Sequence, residues 1–267
     1  MIWLSLKGEK LVEQQERLSK IKELLAANKH LKTSDIAQHF NVSFDTARRD
    51  VLRLTTTGQA VRVHGGIMSV NTNQVPSYLT RQHILSPVKL KMAQVGKGLL
   101  SPGKLYFFAP STTIAQLCNQ IHGLNAAIVT NSLDNAMNLI GDELPVVNIL
   151  GGTVQSTNRF ISSPYSLEEV SRYHFEAAFV GAAKVDENGF YVANQADAAI
   201  TKRAIELSNR VVLFAEKYKF TTTNSSPFKI ESLNQVDTLI SDVPLIPRWK
   251  SWFKPNIRVI HVMEEPK

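Results

Sequence analysis

The stretch VSFDTARRDVLRLTTTGQAVRVHGG runs from Val42 to Gly66. Within it Ala47, Val51 and Leu54 recur at helical spacing, so they form one apolar stripe that turns inward. The stripe forces the adjacent Arg48 and Arg49 outward. Ser43 stands just before the helix as its N-cap. TTTG ends the helix, and QAVRVHGGIMSV then alternates and turns at Gly65 and Gly66, which predicts a small β-hairpin.

Upstream, Leu18, Ile21, Leu24 and Leu25 predict an amphipathic helix over 13–27, with Arg17, Lys20 and Lys22 on its surface. The ten or so residues before it match no pattern and read as an extension. A second helix is predicted from Thr33 or Ser34 as N-cap, with Asp35 in its first turn and Ile36, Ala37 and Phe40 inward. Helix, helix, short turn, helix and hairpin is the layout of a winged helix-turn-helix, whose third helix enters the DNA major groove with its N-terminal half. Arg48 and Arg49 are then placed to grip phosphates or to contact guanine with two hydrogen bonds. Ser43 and Thr46 lie in the first turn, where backbone N–H groups and the helix dipole favour a phosphate. Asp45, four residues before Arg49, is placed to orient it. Arg53 is expected to reach the DNA backbone, and Arg62 and His64 belong to the wing. Taken alone, RRD on an amphipathic helix is an ordinary solvated face. The whole array is what points to DNA.

The chain has 267 residues, enough for one large domain or two, and 43% are hydrophobic, which excludes a disordered chain. No apolar run approaches the roughly 20 residues that span a bilayer. The start, MIWLSLKGEK, has too short an apolar stretch for a secretory signal, and Cys118 has no second cysteine to pair with. A cytoplasmic protein without membrane association is expected. Cys118 itself, inside the apolar helical pattern TTIAQLCNQI, reads as a core residue. The net charge is +7, and residues 1–70 hold 11 Lys/Arg against 7 Asp/Glu, so the basic excess is concentrated in the N-terminal quarter.

Domains are expected at 13–70 and 88–262, with the polar, two-proline stretch 71–87 as a linker. Beyond the linker, short apolar runs begin at Lys104, Ala126, Pro145, Ala177, Arg210, Asp237 and Ile257. Helical patterns at 112–121, 133–140 and 198–208 separate several of them. The fold class is therefore α/β: an N-terminal winged helix-turn-helix and a larger C-terminal domain with a mainly parallel, buried sheet. Loops at the carboxyl ends of such strands bind ligands. Ser111, Thr112 and Thr113 open a helix and offer hydroxyl and N–H donors. Asn131 and Ser132 offer similar donors, Gly151 and Gly152 allow close backbone approach, and Lys184, Lys202 and Lys219 supply positive charge.

The N-terminal array resembles the DNA-binding domain of the DeoR family of bacterial regulators, whose pattern is close to V-S-x-x-T-I-R-R-D-L-x-x-L followed by R-x-H-G-G-A. Val42, Ser43, Thr46, Arg48, Arg49, Asp50, Leu54, Arg62, His64, Gly65 and Gly66 match, whereas Ala47, Val51 and Ile67 depart mildly. The resemblance extends to about Asp242. It implies a second domain related to ribose-phosphate isomerases that senses a sugar phosphate, and a homodimer or homotetramer. In that domain APSTT, VTNSL, LGG, FVGAAKV and EKYKF occupy the places of the family's landmark loops. Ala109 and Ala183 stand where the family has aspartates, Lys184 where it has a glycine, and Glu216 where it has an aspartate. The missing carboxylates point to a more anionic or differently shaped effector, and Lys184 is expected to seek a phosphate or an acidic partner such as Asp186 or Asp197. The reading that follows is a sequence-specific repressor of a sugar-metabolism operon, bound to double-stranded operator DNA and controlled by a phosphorylated sugar or similar anionic metabolite. A constitutive regulator whose second domain only oligomerises is the alternative. A sugar-phosphate isomerase is disfavoured, because enolisation needs a general base near an acidic C–H and the loops that would supply carboxylates carry Ala109 and Ala183 instead. No catalytic residue, metal or cofactor is expected.

Overall fold

A computed structural model describes residues 3–56, 60–63, 65–69, 78, 81, 87–222 and 226–262, with side chains described from Gln14 onward except at Thr56 and Val61. The chain divides into two compact units, Met1–Asn73 with His83–Ser86, and Gln74–Gln82 with Pro87–Lys267.

The first unit contains helices α1 (Trp3–Asn28), α2 (Thr33–His39) and α3 (Phe44–Thr56), and strands β1 (His30–Lys32), β2 (Ala60–Val63) and β3 (Gly66–Ser69). Helix α1 begins about ten residues earlier than the apolar pattern predicts. The β2–β3 pair is the expected hairpin, antiparallel with Val63 opposite Gly66. A third strand, β1, pairs with β3 on its other side. Three residues between two helices are too few to show alternation in the sequence. The β1–β3 approach is close: a Cβ on Gly66 would lie 2.0 Å from the Leu31 carbonyl oxygen, so only glycine fits. Helix α2 is capped by Lys32 without a side-chain hydrogen bond, and Ser34 bonds to Asp35 instead of acting as the cap. Ile21, Leu25, Ile36, Ala47, Val51, Leu54, Ala60 and Ile67 form one core.

The second unit opens with α4 (Pro87–Lys97) and is built on a seven-stranded sheet. In chain order its strands are β4 (Leu105–Phe108), β5 (Ala127–Thr130), β6 (Val146–Ile149), β9 (Ala177–Gly181), β12 (Val211–Phe214), β14 (Thr238–Ser241) and β15 (Arg258–His261). They lie in the order β15-β14-β12-β9-β4-β5-β6, every pairing parallel. Each coincides with one of the seven apolar runs, and the five inner strands are largely buried, as strands covered on both faces are. The crossing helices include α5 (Thr112–Cys118), α6 (Leu133–Leu139), α7 (Pro164–Val170) and α8 (Gln195–Glu206). Cys118 is fully buried among them, as expected of a core residue, and burial pushes its thiol pKa up.

Smaller elements surround the sheet: a hairpin, β7 (Thr153–Gln155) with β8 (Phe160–Ser162), and an antiparallel sheet of β10 (Lys184–Asp186), β11 (Gly189–Val192) and β13 (Phe228–Glu231). Chain order builds β5 and β6 on one side of β4, then places β9 on the other. The sheet thus reverses direction between β4 and β9. The crevice beyond the carboxyl ends of two such strands is where open α/β sheets take ligands.

Candidate functional site

In the first unit, burial of Ala47, Val51 and Leu54 turns Phe44, Asp45, Arg48, Arg49, Leu52 and Arg53 to solvent along α3. The Ser43 hydroxyl accepts the Thr46 N–H at 3.1 Å, the N-cap bond, and lies 2.8 Å from the Thr46 hydroxyl. Both hydroxyls are engaged in starting the helix. Arg48 and Arg49 make no hydrogen bond or ion pair among the described residues, and Asp45 does not hold Arg49. Arg53 donates to the Gln14 side chain at 2.8 Å, which ties it to α1. Arg62 lies half-buried on β2, and His64 falls outside the described residues.

Arg17 is not on the surface. It is 9% exposed and donates from Nε and Nη2 to the fully buried Asp50 carboxylate at 2.5 and 3.3 Å, and Gln14 adds a third bond at 3.0 Å. A charge on an amphipathic helix reads as solvated in sequence. Only the packing of α1 on α3 shows that these two charges meet. Asp50 therefore anchors α3, while its neighbours Arg48 and Arg49 face outward.

In the second unit, a small cavity opens at the β4/β9 reversal. Ser111, Thr112 and Thr113 form one wall, and Ser111 caps α5 by accepting the Thr113 N–H at 3.2 Å. Gly181 ends β9 against them, where a Cβ would sit 2.7 Å from Ser111 Oγ. Lys89 of α4, Lys219 and Arg81 bring three cations to the cavity, and Glu216 brings a carboxylate 4.0 Å from Lys89 Nζ. Lys89 and Lys219 are 5% and 8% exposed. The turn Lys217–Phe220 carries Lys219 and is pinned by Asp242, which accepts the Lys217 N–H at 2.6 Å. Burial, helped by the charges of Arg81 and Lys89, brings the Lys219 pKa down to about 7. Burial also lowers that of Lys89.

A second polar group lies near Arg81. Asp197, the buried acid of α8, accepts from Asn131 Nδ2 at 3.4 Å and from the Thr201 hydroxyl at 3.5 Å. Burial raises its pKa to about 6 against the opposing pull of Asn131 and Arg81. Asn131 Oδ1 is buried without a hydrogen-bond partner. The Ser132 hydroxyl caps α6 through the Asn135 N–H at 3.2 Å.

Several other expected residues lie apart from the cavity. Lys184 pairs with Asp186 at 2.9 Å and lies over the ring of Tyr191, its cross-strand partner. Two residues apart on a strand share a face, so Asp186 and not Asp197 is its partner. Lys202 is half exposed and sits 3.7 Å from Glu231. Gly151 donates its N–H to Glu169 at 3.0 Å, and Gly152 packs on Ser162. Conversely, sequence reasoning missed Lys89 and Arg81. Lys89 lies on a helix with a weak apolar pattern. Arg81 and the fully buried Tyr78 lie in the stretch predicted as linker, with Arg81 5.6 Å from the centre of the Tyr78 ring.

Two family models match this arrangement: a DeoR-like helix-turn-helix domain over residues 17–73 and the DeoR C-terminal sensor domain over residues 86–243. The chain belongs to the DeoR family. Among its DeoR-type relatives is the HTH-type transcriptional repressor GlcR of Bacillus subtilis, 28% identical over 86% of this chain and 88% of its own. The L-fucose operon activator of Haemophilus influenzae is 27% identical over 78% and 84%. The glycerol-3-phosphate regulon repressor of Escherichia coli is 26% identical over 87% and 92%. Among solved structures, ribose 5-phosphate isomerase A of Methanocaldococcus jannaschii aligns over 50% of this chain and 53% of its own, with 18% identity and a TM-score of 0.36. That likeness is too loose to transfer residue roles.

Against the DeoR pattern, Ala109 and Ala183 are both buried. The Ala109 carbonyl accepts from Asn135 Nδ2 at 3.1 Å, and the Ala183 N–H donates to Tyr191 at 2.8 Å. Their backbones are engaged, and their methyl groups supply no carboxylate. Among the described residues no helix is long and apolar enough to cross a membrane.

Proposed function

We propose that this DeoR-family protein is a cytoplasmic repressor of a sugar-metabolism operon, released from its operator by a phosphorylated sugar or a related small anion. The observation that carries the reading is the cavity at the sheet reversal, where buried Lys89 and Lys219 and half-buried Arg81 surround the Ser111–Thr113 donors. Buried cations are costly unless an anion compensates them. The cavity lining gathers three cations against the one carboxylate of Glu216, which suits an anionic ligand. The kinship with GlcR and the glycerol-3-phosphate regulon repressor supports the sign of regulation, and the latter supports a phosphorylated effector. Arg81 stands in the 71–87 stretch that joins the two units in sequence, so a ligand that holds it acts on the joining segment. Coupling of about 1–3 kcal/mol between effector and DNA is ordinary for such a device.

Titration calorimetry of the full chain against phosphorylated sugars and sugar acids tests the ligand. Binding by one or more is expected, with no isomerase turnover, because Ala109 and Ala183 leave the cavity without their carboxylates. Silence across the panel favours the constitutive reading instead. On the DNA side, Arg48→Ala and Arg49→Ala are each expected to weaken specific binding by about 1–3 kcal/mol without lowering the melting temperature. Wild-type affinity in both variants removes α3 as the reading helix.

Self-association, as a homodimer or homotetramer, completes the proposal. Of the eleven large apolar side chains exposed among the described residues, seven lie between Met137 and Leu167. Two of them, Val146 and Ile149, lie on β6, an edge strand that carries no charged residue. The opposite edge, β15, is blunted by exposed Arg258 and His261, as solvent-facing edges usually are. Val146→Lys is expected to lower the assembly state in sedimentation velocity, whereas Ile246→Lys, at an exposed apolar residue elsewhere, is expected to leave it unchanged.

A further inference from the structure

Phe44 is the first residue of α3, and its aromatic side chain is 57% exposed. The core of the N-terminal unit closes without it. Burial of Ala47 and Val51 fixes the rotation of α3, and that rotation sends Phe44 to the same side as Arg48, one turn on. The first turn otherwise offers little apolar chemistry. Ser43 and Thr46 spend their hydroxyls on each other and on the N-cap bond. Asp45 is a carboxylate, which repels phosphate.

In a helix-turn-helix the N-terminal residues of the third helix meet base edges. Of the groups that the four base pairs present in the major groove, the thymine 5-methyl is the apolar one, and an aromatic side chain is among those that contact it. We propose that Phe44 is a base-reading residue that packs against a thymine 5-methyl group in the operator, beside the base pair or phosphate that Arg48 contacts. This rests on the placement of α3 in the major groove. It adds an apolar, sequence-selecting contact to a face otherwise dominated by arginine, whose phosphate contacts carry no sequence information.

The test isolates one methyl group. A duplex is selected by the full-length protein from a random-sequence pool, and each thymine is replaced in turn by deoxyuridine, which removes only the 5-methyl. Fluorescence anisotropy at fixed salt then compares wild type with Phe44→Ala, and circular dichroism confirms that the exposed-site variant keeps the wild-type melting temperature. At one thymine per half-site the replacement is expected to weaken wild type about three- to tenfold. Phe44→Ala is expected to start weaker by a similar factor and to ignore that replacement. Phe44→Leu, which keeps an apolar tip, is expected to retain part of the dependence and serves as the readout should the alanine variant melt early. Overturning results are wild-type indifference to every replacement, or an equal loss in wild type and Phe44→Ala at the sensitive thymine. A protein that selects no duplex over scrambled DNA removes the major-groove placement and the proposal with it, an outcome distinct from binding without methyl dependence.

Discussion

Asp50→Ala is expected to destabilise the N-terminal unit by about 3–5 kcal/mol, because it leaves a buried charge without its partner. Asp50 is fully buried and accepts hydrogen bonds from Arg17 and Gln14. The bonds join α1 to α3 across the unit's core. Without the carboxylate, the Arg17 guanidinium remains 9% exposed with its main compensation gone. A loss of that size is a large part of the roughly 5–15 kcal/mol that holds a domain folded. Urea unfolding followed by helix circular dichroism measures it. A loss below about 1 kcal/mol would show that Arg17 relaxes into solvent and that the pair is not structural. The double change Arg17→Met with Asp50→Leu is expected to recover much of the loss, since apolar side chains of similar size replace buried pairs well. DNA binding by Asp50→Ala is expected to fail through unfolding, unlike the binding losses of Arg48→Ala and Arg49→Ala.

Lys219→Met is expected to raise the stability of the free protein while cutting effector affinity by roughly thirty- to several-thousandfold, the range for removing one partner of a buried charge pair. The two effects have one origin. Burial brings the Lys219 pKa down to about 7, so the folded state holds the charged lysine at a cost that the unfolded chain does not bear. With a folded pKa below the unfolded value, this cost is present at neutral pH and fades as pH rises towards the ordinary lysine range. Methionine removes it. An anionic ligand favours the charged form, so binding takes up a proton above pH 7. Wild-type affinity is therefore expected to fall as pH rises above 7, up to about tenfold per unit until the liganded pKa is reached. The variant should lose that slope. Calorimetry in buffers of different ionisation enthalpy reads the proton directly. Unchanged affinity and slope in Lys219→Met would place the ligand elsewhere.

Much of the architecture was legible in the sequence for a physical reason. Strands covered on both faces are largely apolar, so the five inner strands of the large sheet stood out as apolar runs, and the edge strands β6 and β15 did so through their Val and Ile residues. The α3 stripe of Ala47, Val51 and Leu54 fixed which arginines face outward. Short strands at the periphery were not legible: β1, β7 and β10 have three residues each, too few to show a period. Charges misled in both directions. Arg17 reads as solvated and is buried, whereas Lys184 reads as part of a pocket and is held by Asp186 and Tyr191. Arg81 was hidden by its setting, since a polar stretch with two prolines carries no periodicity to announce a residue that docks into the cavity.

The central claim, a DNA-binding regulator whose grip a small anion controls, is tested most directly by fluorescence anisotropy of the full chain. The DNA comes from upstream of its own gene and neighbouring genes, with scrambled DNA as control, and phosphorylated sugars and sugar acids are titrated in at fixed salt. The account predicts specific binding that at least one phosphorylated compound weakens, and that this compound leaves DNA binding by Lys219→Met little changed. Specific binding that no compound shifts, or no preference over scrambled DNA at any of several salt concentrations, would contradict it.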